Sequence, residues 1–336
     1  MRDVIDRGGF ITLAHGNGGR LMRTLIQDVF APHFASDLTS DAACLPPAEG
    51  TLMVTTDGFI VDPLEYPGGN IGSLAVHGTV NDLAVSGATP RWLSLSFMIE
   101  EGFSIDRLER IAVSIGVAAR ACGVAVVAGD TKVLPRGHGG GLYLAATGIG
   151  VRWPGVLLGM DHIKPGDSLV VNGSLGDHGT AVLLAREQFG LHGTLQSDSA
   201  SVLPFTEAAL PIPGLRFMRD PTRGGVATVA NEISLATGRR VVLDEVAIPM
   251  QDEVRGICDM LGYDPLYLAC EGRVVAVVDP AQATAVLAAW RALPGGGGAA
   301  CIGSVETGRA GVVLRTVLGG ERILDELEDD PLPRIC

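Results

Sequence analysis

The stretch "NIGSLAVHGTVNDLAVSGATP", residues 70–90, reads as a helix closed by Gly87 and Pro90, and "RWLSLSFMIEEG", residues 91–102, follows it as a strand. Ser104 then caps "IDRLERIAVSIGVAARACG", where Leu108, Ile111, Ala112 and Ile115 make one apolar face. "VAVVAGDT" (124–131) and "GLYLAATGIGV" (141–151) are strands. Upstream, "TLMVTTDGFIV" (51–61) alternates as a strand, and the glycine-rich "LAHGNGGRLM" (13–22) leads into a helix with apolar positions at Leu21, Leu25, Ile26 and Val29. A second block opens near residue 155. "MDHIKPGDSLVVNGSLGDHG" (160–179) gives strand, turn and helix start; "DPTRGGVATVANEISLATG" (220–238) is loop then helix; "EGRVVAVVD" (271–279) and "PAQATAVLAAWRAL" (280–293) are strand then helix. "PGGGGAACIGSVETG" and "AGVVLRTVLGGERI" make a strand-rich end, and the acidic "LDELEDDPLPRIC" (324–336) is expected to be solvated until its final residues.

Composition sets the outer bounds. A chain of 336 residues exceeds what one core usually serves, so two domains are expected. With 47% hydrophobic residues, 46 glycines and 5% aromatics, it suits an α/β or α+β enzyme with many tight turns. A net charge of −13 with no Lys/Arg cluster argues against nucleic acid and anionic lipid as partners; a bound polyanion such as ATP would need divalent cations beside it. No apolar run has the length of a membrane helix, and "MRDVIDRGGF" lacks a signal-peptide core, so a cytoplasmic protein is expected. The six cysteines show no metal-ligand spacing or disulfide pattern. Five read as buried small apolar residues; Cys336, a thiol at the chain's end behind Pro331 and Pro333, does not.

Candidate chemistry gathers at element junctions. No GxxxxGK[ST] occurs, and no GxGxxG leads from a strand into a helix. Aspartates recur instead: Asp41, Asp57, Asp82, Asp130 and Asp220. Several hard oxygen ligands suit Mg²⁺ on phosphates, while any one of them could cap a helix or close a turn. Asp82 differs, because inside a helix beside Asn81 it has no cap to make. "GDTK" (129–132) offers a glycine for close backbone approach, the Thr131 hydroxyl and the Lys132 cation. "DPTRGG" sets Thr222, Arg223 and two glycines before a helix whose free N–H groups can meet an anion, or which simply starts after a proline turn. Glu271 beside Gly272 is either a base in a dry pocket or a strand-edge charge. His15, His77 and His178 each adjoin glycine and read as satisfied turn histidines.

Taken together, "LAHGNGG", "TTDGFIVDP", "YPGGNIGSLAVHGTVNDLAVSGATP", "IEEG", "VVAGDTKV", "VNGSLGDHG", "MRDPTRGG", "EGRV" and the terminal "PRIC" resemble the carbamoyl dehydratases of hydrogenase maturation, within the PurM-like (AIR synthetase-related) superfamily of ATP-dependent synthetases. The resemblance spans essentially the whole chain, and "PRIC" is its most specific part. It implies an α+β fold of two PurM-like domains: residues 1–154 for ATP binding and dimerisation, and 155–327 as an α/β sandwich, with 328–336 as a mobile tail. It implies that a partner carbamoyltransferase loads the Cys336 thiol, that the carbamoyl group is dehydrated to a thiocyanate with ATP and Mg²⁺, and that a scaffold complex takes the cyanide onto the iron of a nickel-iron hydrogenase. A homodimer with ATP near its interface is implied as well.

Carried over residue by residue, the resemblance assigns Mg²⁺ to Asp57, Asp82 and Asp220. Asp41, Asn81, Asp130, Thr131, Thr222 and Arg223 fall around the nucleotide, with the loop of His15, Gly18 and Gly19 over its phosphates. Lys132 stabilises the transferring oxygen, Glu271 takes the nitrogen proton, and Arg334 docks the tail or offsets the terminal carboxylate. Two departures stand out: Cys270 where relatives carry Ser before the Glu, and no acidic residue in "PRGHGGGLYL". Competing readings are another synthetase of the superfamily, such as a selenophosphate synthetase or a purine-pathway cycloligase, and a carrier module whose terminal Cys passes a metal or persulfide, with ATP only structural.

Overall fold

The computed structural model describes residues 5–34, 42–186, 190, 193–328 and 334–336. Asp41, Pro331 and Pro333 lie outside the described residues.

The residue 70–90 stretch forms the central helix of the first half. Asn70 starts it, its Oδ1 accepting from the N–H groups of Gly72 (2.8 Å) and Ser73 (3.1 Å). The helix, α2 (Ile71–Val85), is apolar nearly all round because it is covered nearly all round. On one side it meets a four-stranded sheet, and on the other α3 (Ile105–Ala121), where a Cβ on Gly72 would collide with Ile111. Beyond Ser86 the chain turns at Gly87, φ 78°, and enters β4 (Ala88–Glu100). Pro90 therefore lies inside that strand, beside an irregularity in its pairing between Pro90 and Trp92, instead of ending the helix.

The sheet has the order β1 (Leu52–Phe59), β6 (Leu142–Arg152), β4, β5 (Ala125–Leu134). Only β4 and β5 are parallel, and α3 is the crossover between them. Two short strands, β2 (Glu65–Tyr66) and β3 (Gly69–Asn70), form a hairpin before α2. Near the N-terminus, α1 (Arg20–Leu25) runs on as a wide turn over Ile26–Phe30 that buries Val29 and Phe30.

The second half is a seven-stranded sheet in the order β13 (Glu321–Ile323), β12 (Gly311–Arg315), β9 (Arg240–Asp244), β11 (Ala300–Glu306), β7 (Ser168–Val171), β10 (Val275–Val278), β8 (Leu215–Arg219). The unbroken apolar run of β10 is explained by burial on both faces. One face packs against α6 (Gly225–Thr237), and the other against α5 (Leu203–Ala209) and α8 (Ala283–Arg291), where Trp290 donates to the Phe205 carbonyl at 2.8 Å. The halves share core: Ala84 and Val85 of α2 join the second-half cluster of α5 and α8, while α4 (Asp177–Ala185) and α7 (Asp252–Leu261) send Val182, Val254 and Ile257 into the first-half cluster.

Three cysteines, Cys122, Cys258 and Cys270, are buried as expected, but Cys44 and Cys301 are exposed. Cys301 occupies a solvent-facing position of β11, where alternation points every second side chain outward. No described helix is long and apolar enough to cross a membrane.

Candidate active site

The seam between the two halves brings the expected residues together from distant parts of the chain. Asp57 lies on β1, Asp82 in α2, Asp220 and Arg223 between β8 and α6, and Glu271 just before β10. Thr55 donates to Asp82 Oδ2 at 2.7 Å, and Arg223 Nη2 stands 3.6 Å from Asp57 Oδ1. Asp220 is buried. Burial first, and then the nearby Asp82, push its carboxyl up to about 7; burial also raises Asp82, with Asp57 adding to it.

Glu271 is 2% exposed, so it is no strand-edge charge. Burial drives its carboxyl well above the usual carboxylate range, and Asp220, Asp198 and Asp57 add to the rise. Its Oε1 is buried with no hydrogen-bond partner, an acceptor left facing the site. The backbone that carries it is tightly held. Its N–H donates to Asp198 Oδ1 (3.1 Å), whose other oxygen is 3.4 Å from Arg273, itself paired to Asp177 at 3.2 Å. Asn81 donates to the carbonyls of Glu271 (3.1 Å) and Ala200 (3.0 Å) and accepts from the Val202 N–H (2.8 Å). The Asn81 amide is thus spent on main-chain groups in this structure and acts on the site through Glu271. Gly272 must lack a side chain, because a Cβ there would fall 1.8 Å from the Asp198 carbonyl. Cys270 points away from Glu271, its sulfur accepting from the Gly176 N–H at 3.2 Å.

The chain's end is seated in the same seam. Ile335 is buried with the first-half core, and Cys336 packs beside it, half-buried. Burying an isoleucine side chain stabilises by roughly 1.5–3 kcal/mol, which offsets part of the cost of ordering these few residues. Arg334 is the one described non-glycine residue with positive φ, 59°; its bend presents the last two carbonyls to the protein while its side chain stays exposed. Docking therefore uses the Arg334 main chain, not the guanidinium. Cys336 lies against Glu271 and Arg223. Burial and then Glu271 lift its thiol well above the normal value, with Arg223 opposing, so the seated sulfur stays S–H.

A second group of expected residues lies elsewhere on the sheet. The turn of Leu13–Gly16 packs on β5, where a Cβ on Gly16 would meet Val133 at 2.9 Å. His15 is buried and accepts from the Thr12 N–H at 3.1 Å; Gly18 and Gly19 follow it into α1. "GDTK" does not end its strand but lies within β5; Thr131 is buried, and Lys132 is exposed and paired to Asp130 at 3.0 Å. By register, Asp57 stands opposite Ala146, which stands opposite Leu95, which stands opposite Gly129. That is three strand spacings, about 14 Å along the sheet. One chain thus brings Asp57, Asp82, Asp220, Arg223, Glu271 and Cys336 together, with Thr222 beside Arg223, and keeps His15, Gly18, Gly19, Asp130, Thr131 and Lys132 as a separate set.

The acidic set suits Mg²⁺ arriving with a nucleotide better than a resident metal. Among the described residues no group of three or more His, Cys, Asp or Glu side chains is assembled to hold an ion. Mg²⁺ needs only one or two carboxylates when phosphates and waters complete its shell, and the mutual repulsion of Asp82 and Asp220 is what a cation relieves. One consequence can be measured without any ligand. Because the Asp220 pKa is raised on folding, its contribution is complete in acid, below the unfolded carboxylate range, and is lost as pH rises through about 7. Between pH 6 and 8 the nucleotide-free protein should lose about 1.4 kcal/mol, a fall of roughly 2–4 °C in melting temperature. Asp220→Asn should remove most of that slope in a thermal melt; an unchanged slope would show that another group carries it.

Sequence reasoning missed Asp198, Arg273, Tyr66 and the histidine environment. His178 is wholly buried, with the Tyr66 ring edge-on to it at 5.3 Å, and His77 is half-buried within α2 with Nδ1 3.4 Å from the Ser199 hydroxyl. Arg273 stood in plain view inside "EGRV", but nothing near it in sequence indicates its two carboxylate partners.

Residues 39–152 match the family described as AIR synthase related protein, N-terminal domain, and residues 164–315 match the corresponding C-terminal domain. The chain is 46% identical over 333 residues to the carbamoyl dehydratase HypE of Rhodobacter capsulatus, covering 97% of this chain and 98% of the relative. Among solved structures, a hydrogenase maturation protein HypE in complex with ATP superimposes with a TM-score of 0.92 at 44% identity, over 96% of this chain and 99% of that one. A HypE chain from a HypE–HypF complex gives 0.80 at 40% identity, over 82% and 90%.

Proposed function

The chain belongs to the HypE carbamoyl dehydratase family, and from that membership we propose that Cys336 carries the carbamoyl group this enzyme dehydrates. The activity is the family's ATP-dependent dehydration in hydrogenase maturation, with a HypF-type carbamoyltransferase as partner. The observation that carries the cysteine assignment is the seating of Cys336 against Glu271, whose buried Oε1 lacks a partner. A thiocarboxamide has an N–H to offer at that point, a stronger donor than the thiol that now lies against the Glu271 carboxyl.

The overall change is R–S–CO–NH₂ plus ATP to R–S–C≡N plus ADP and phosphate; oxygen leaves with the phosphoryl group, and nitrogen loses both protons. Bound ATP supplies the phosphoryl group that turns a poor oxygen leaving group into a good one. Asp57, Asp82 and Asp220 would hold Mg²⁺ on its phosphates, with Thr222 and Arg223 at the adjoining loop. Glu271 accepts the nitrogen proton whose removal closes the C≡N bond, its basicity set by burial and by neighbouring carboxylates, and the other nitrogen proton leaves with the phosphate and solvent. Arg223 offsets negative charge beside the sulfur. Asn81 and Asp198 orient Glu271 through its backbone.

Lys132, Asp130, Thr131 and the His15–Gly19 loop then serve the nucleotide from the opposite edge of the sheet, which favours a homodimer. The outward face of the sheet, with Leu52 59% and Val54 69% exposed, suits pairing with a second copy that brings its own β5 set nearby. Light scattering that returned a single-chain mass would remove this part. Division near residue 154, a cytoplasmic setting, and transfer of cyanide to a scaffold complex for a nickel-iron centre belong to the same proposal.

Intact mass spectrometry tests the function. Protein carbamoylated on Cys336 should lose about 18 Da, one water, only when Mg-ATP is present. A carrier that merely passes the group on would lose the whole carbamoyl mass, and that result would end the dehydratase reading of this cysteine.

A further inference from the structure

The last two carbonyls of the chain are gripped by side chains that the reaction itself does not use. Arg334 O accepts from the Asp62 N–H (3.1 Å) and from Arg186 Nη2 (2.8 Å), and Arg186 Nε in turn donates to Asp62 O (2.8 Å). Ile335 O lies 2.8 Å from His178 Nε2. A carbonyl oxygen can only accept, so Nε2 carries the proton. Nδ1 is then a lone pair, and it accepts from the Ser197 hydroxyl at 2.8 Å. Ser197 Oγ is itself held by the Ser199 N–H at 3.0 Å. Burial favours the uncharged ring, and Tyr66 covers it edge-on. The tautomer is thus fixed by a relay that begins two residues away from any tail atom.

We propose that His178 is a positioning residue, a latch that holds the tail in its catalytic seat by donating Nε2–H to the Ile335 carbonyl, with Ser197 setting its tautomer. The latch reads the main chain one residue before the sulfur. It therefore grips the free thiol, the carbamoylated tail and the cyanated tail alike, and keeps Cys336 registered on Glu271 while the group on sulfur changes. Both sides of the seat meet here: His178 opens α4 of the second half, whereas Asp62 belongs to the first. The inference rests on Cys336 being the carrier, but its test needs no turnover.

Alkylation of Cys336 by iodoacetamide, followed peptide by peptide in the full-length protein, reports how often the tail leaves its seat. Exposed Cys301 serves as the accessible control and buried Cys270 as the control for unfolding. Losing one buried hydrogen bond should raise Cys336 labelling about tenfold in His178→Ala. His178→Gln, whose amide can still donate to the carbonyl, should stay within about twofold of the parent. Ser197→Ala touches no tail atom and frees the ring to turn its lone pair toward Ile335; it should also speed labelling, with Cys270 still protected. Unchanged labelling in Ser197→Ala, or equal opening by the Gln and Ala variants at position 178, would overturn the latch. Failure of the carrier reading would instead appear as dehydration that survives loss of Cys336.

Discussion

Glu271→Gln keeps its carbamoyl group: carbamoylated by its partner and then given Mg-ATP, the variant should retain the full thiocarboxamide mass while the parent loses one water. The expected loss is about 10²–10⁴-fold, the range for removing a positioned general base. Gln fits the same space and keeps the main-chain bonds to Asn81 and Asp198, so the fold around position 271 is undisturbed. What disappears is a carboxylate able to take up a proton at that position. The pH dependence has a definite sign. Burial and the neighbouring acids keep the Glu271 proton on well above the usual carboxylate range, so its ionised fraction, and with it the parental rate, should climb as pH rises beyond that range. The same raised value means the folded protein is helped by Glu271 in acid and loses that help as pH passes its folded pKa. Glu271→Gln should flatten the rate profile, and a residual climb of parental slope would assign the base elsewhere. Arg223 provides a contrast: it faces both Asp57 and the sulfur, so truncating it affects charge balance without removing the acceptor.

The sequence carried the elements of this site better than their meeting. Asp82 announced itself because a carboxylate in a helix interior has no capping duty, and the structure gives it Thr55 as partner and Asp220 as repelling neighbour. The apolar periodicity of Leu108, Ile111, Ala112 and Ile115 was equally plain, and all four are fully buried. Asn81 beside Asp82 looked like another nucleotide contact, but its amide faces the opposite half of the protein; adjacent helical residues point about 100° apart, so neighbours in sequence need not share a site. His178 defeated local reading for a different reason. Its partners, Ser197 and Ile335, lie 19 and 157 residues away, and no spacing rule predicts a contact between a helix start and a chain end. The separation of "GDTK" from the acidic set is a matter of strand order, which periodicity does not encode.

If Cys336 is the carrier as proposed, Cys336→Ala should abolish thiocyanate formation altogether, a fall of at least about 10³-fold, because the covalent attachment point is gone. The claim is sharp because the substitution spares the rest of the seat. Ile335 stays buried, the carbonyls of Arg334 and Ile335 keep their donors, and a half-buried sulfur at the edge of the core contributes little to folding, so stability should change by less than about 1 kcal/mol. No other described thiol can deputise. Cys270, next to Glu271 in sequence, turns its sulfur to the Gly176 N–H and is wholly buried; Cys122 and Cys258 lie in the core, and Cys44 and Cys301 are on the surface. Loading is expected to precede seating. Burial and Glu271 raise the seated thiol well above its ordinary value, and a protonated thiol is a poor nucleophile, so on the proposed carrier role the carbamoyl group should be accepted while the tail is away from the seam. It follows that Glu271→Gln should load at the parental rate and stall afterwards, whereas Cys336→Ala should never gain the carbamoyl mass, with both variants binding ATP as the parent does. Thiocyanate production by Cys336→Ala, or a loading defect in Glu271→Gln, would break the order of events that the geometry requires.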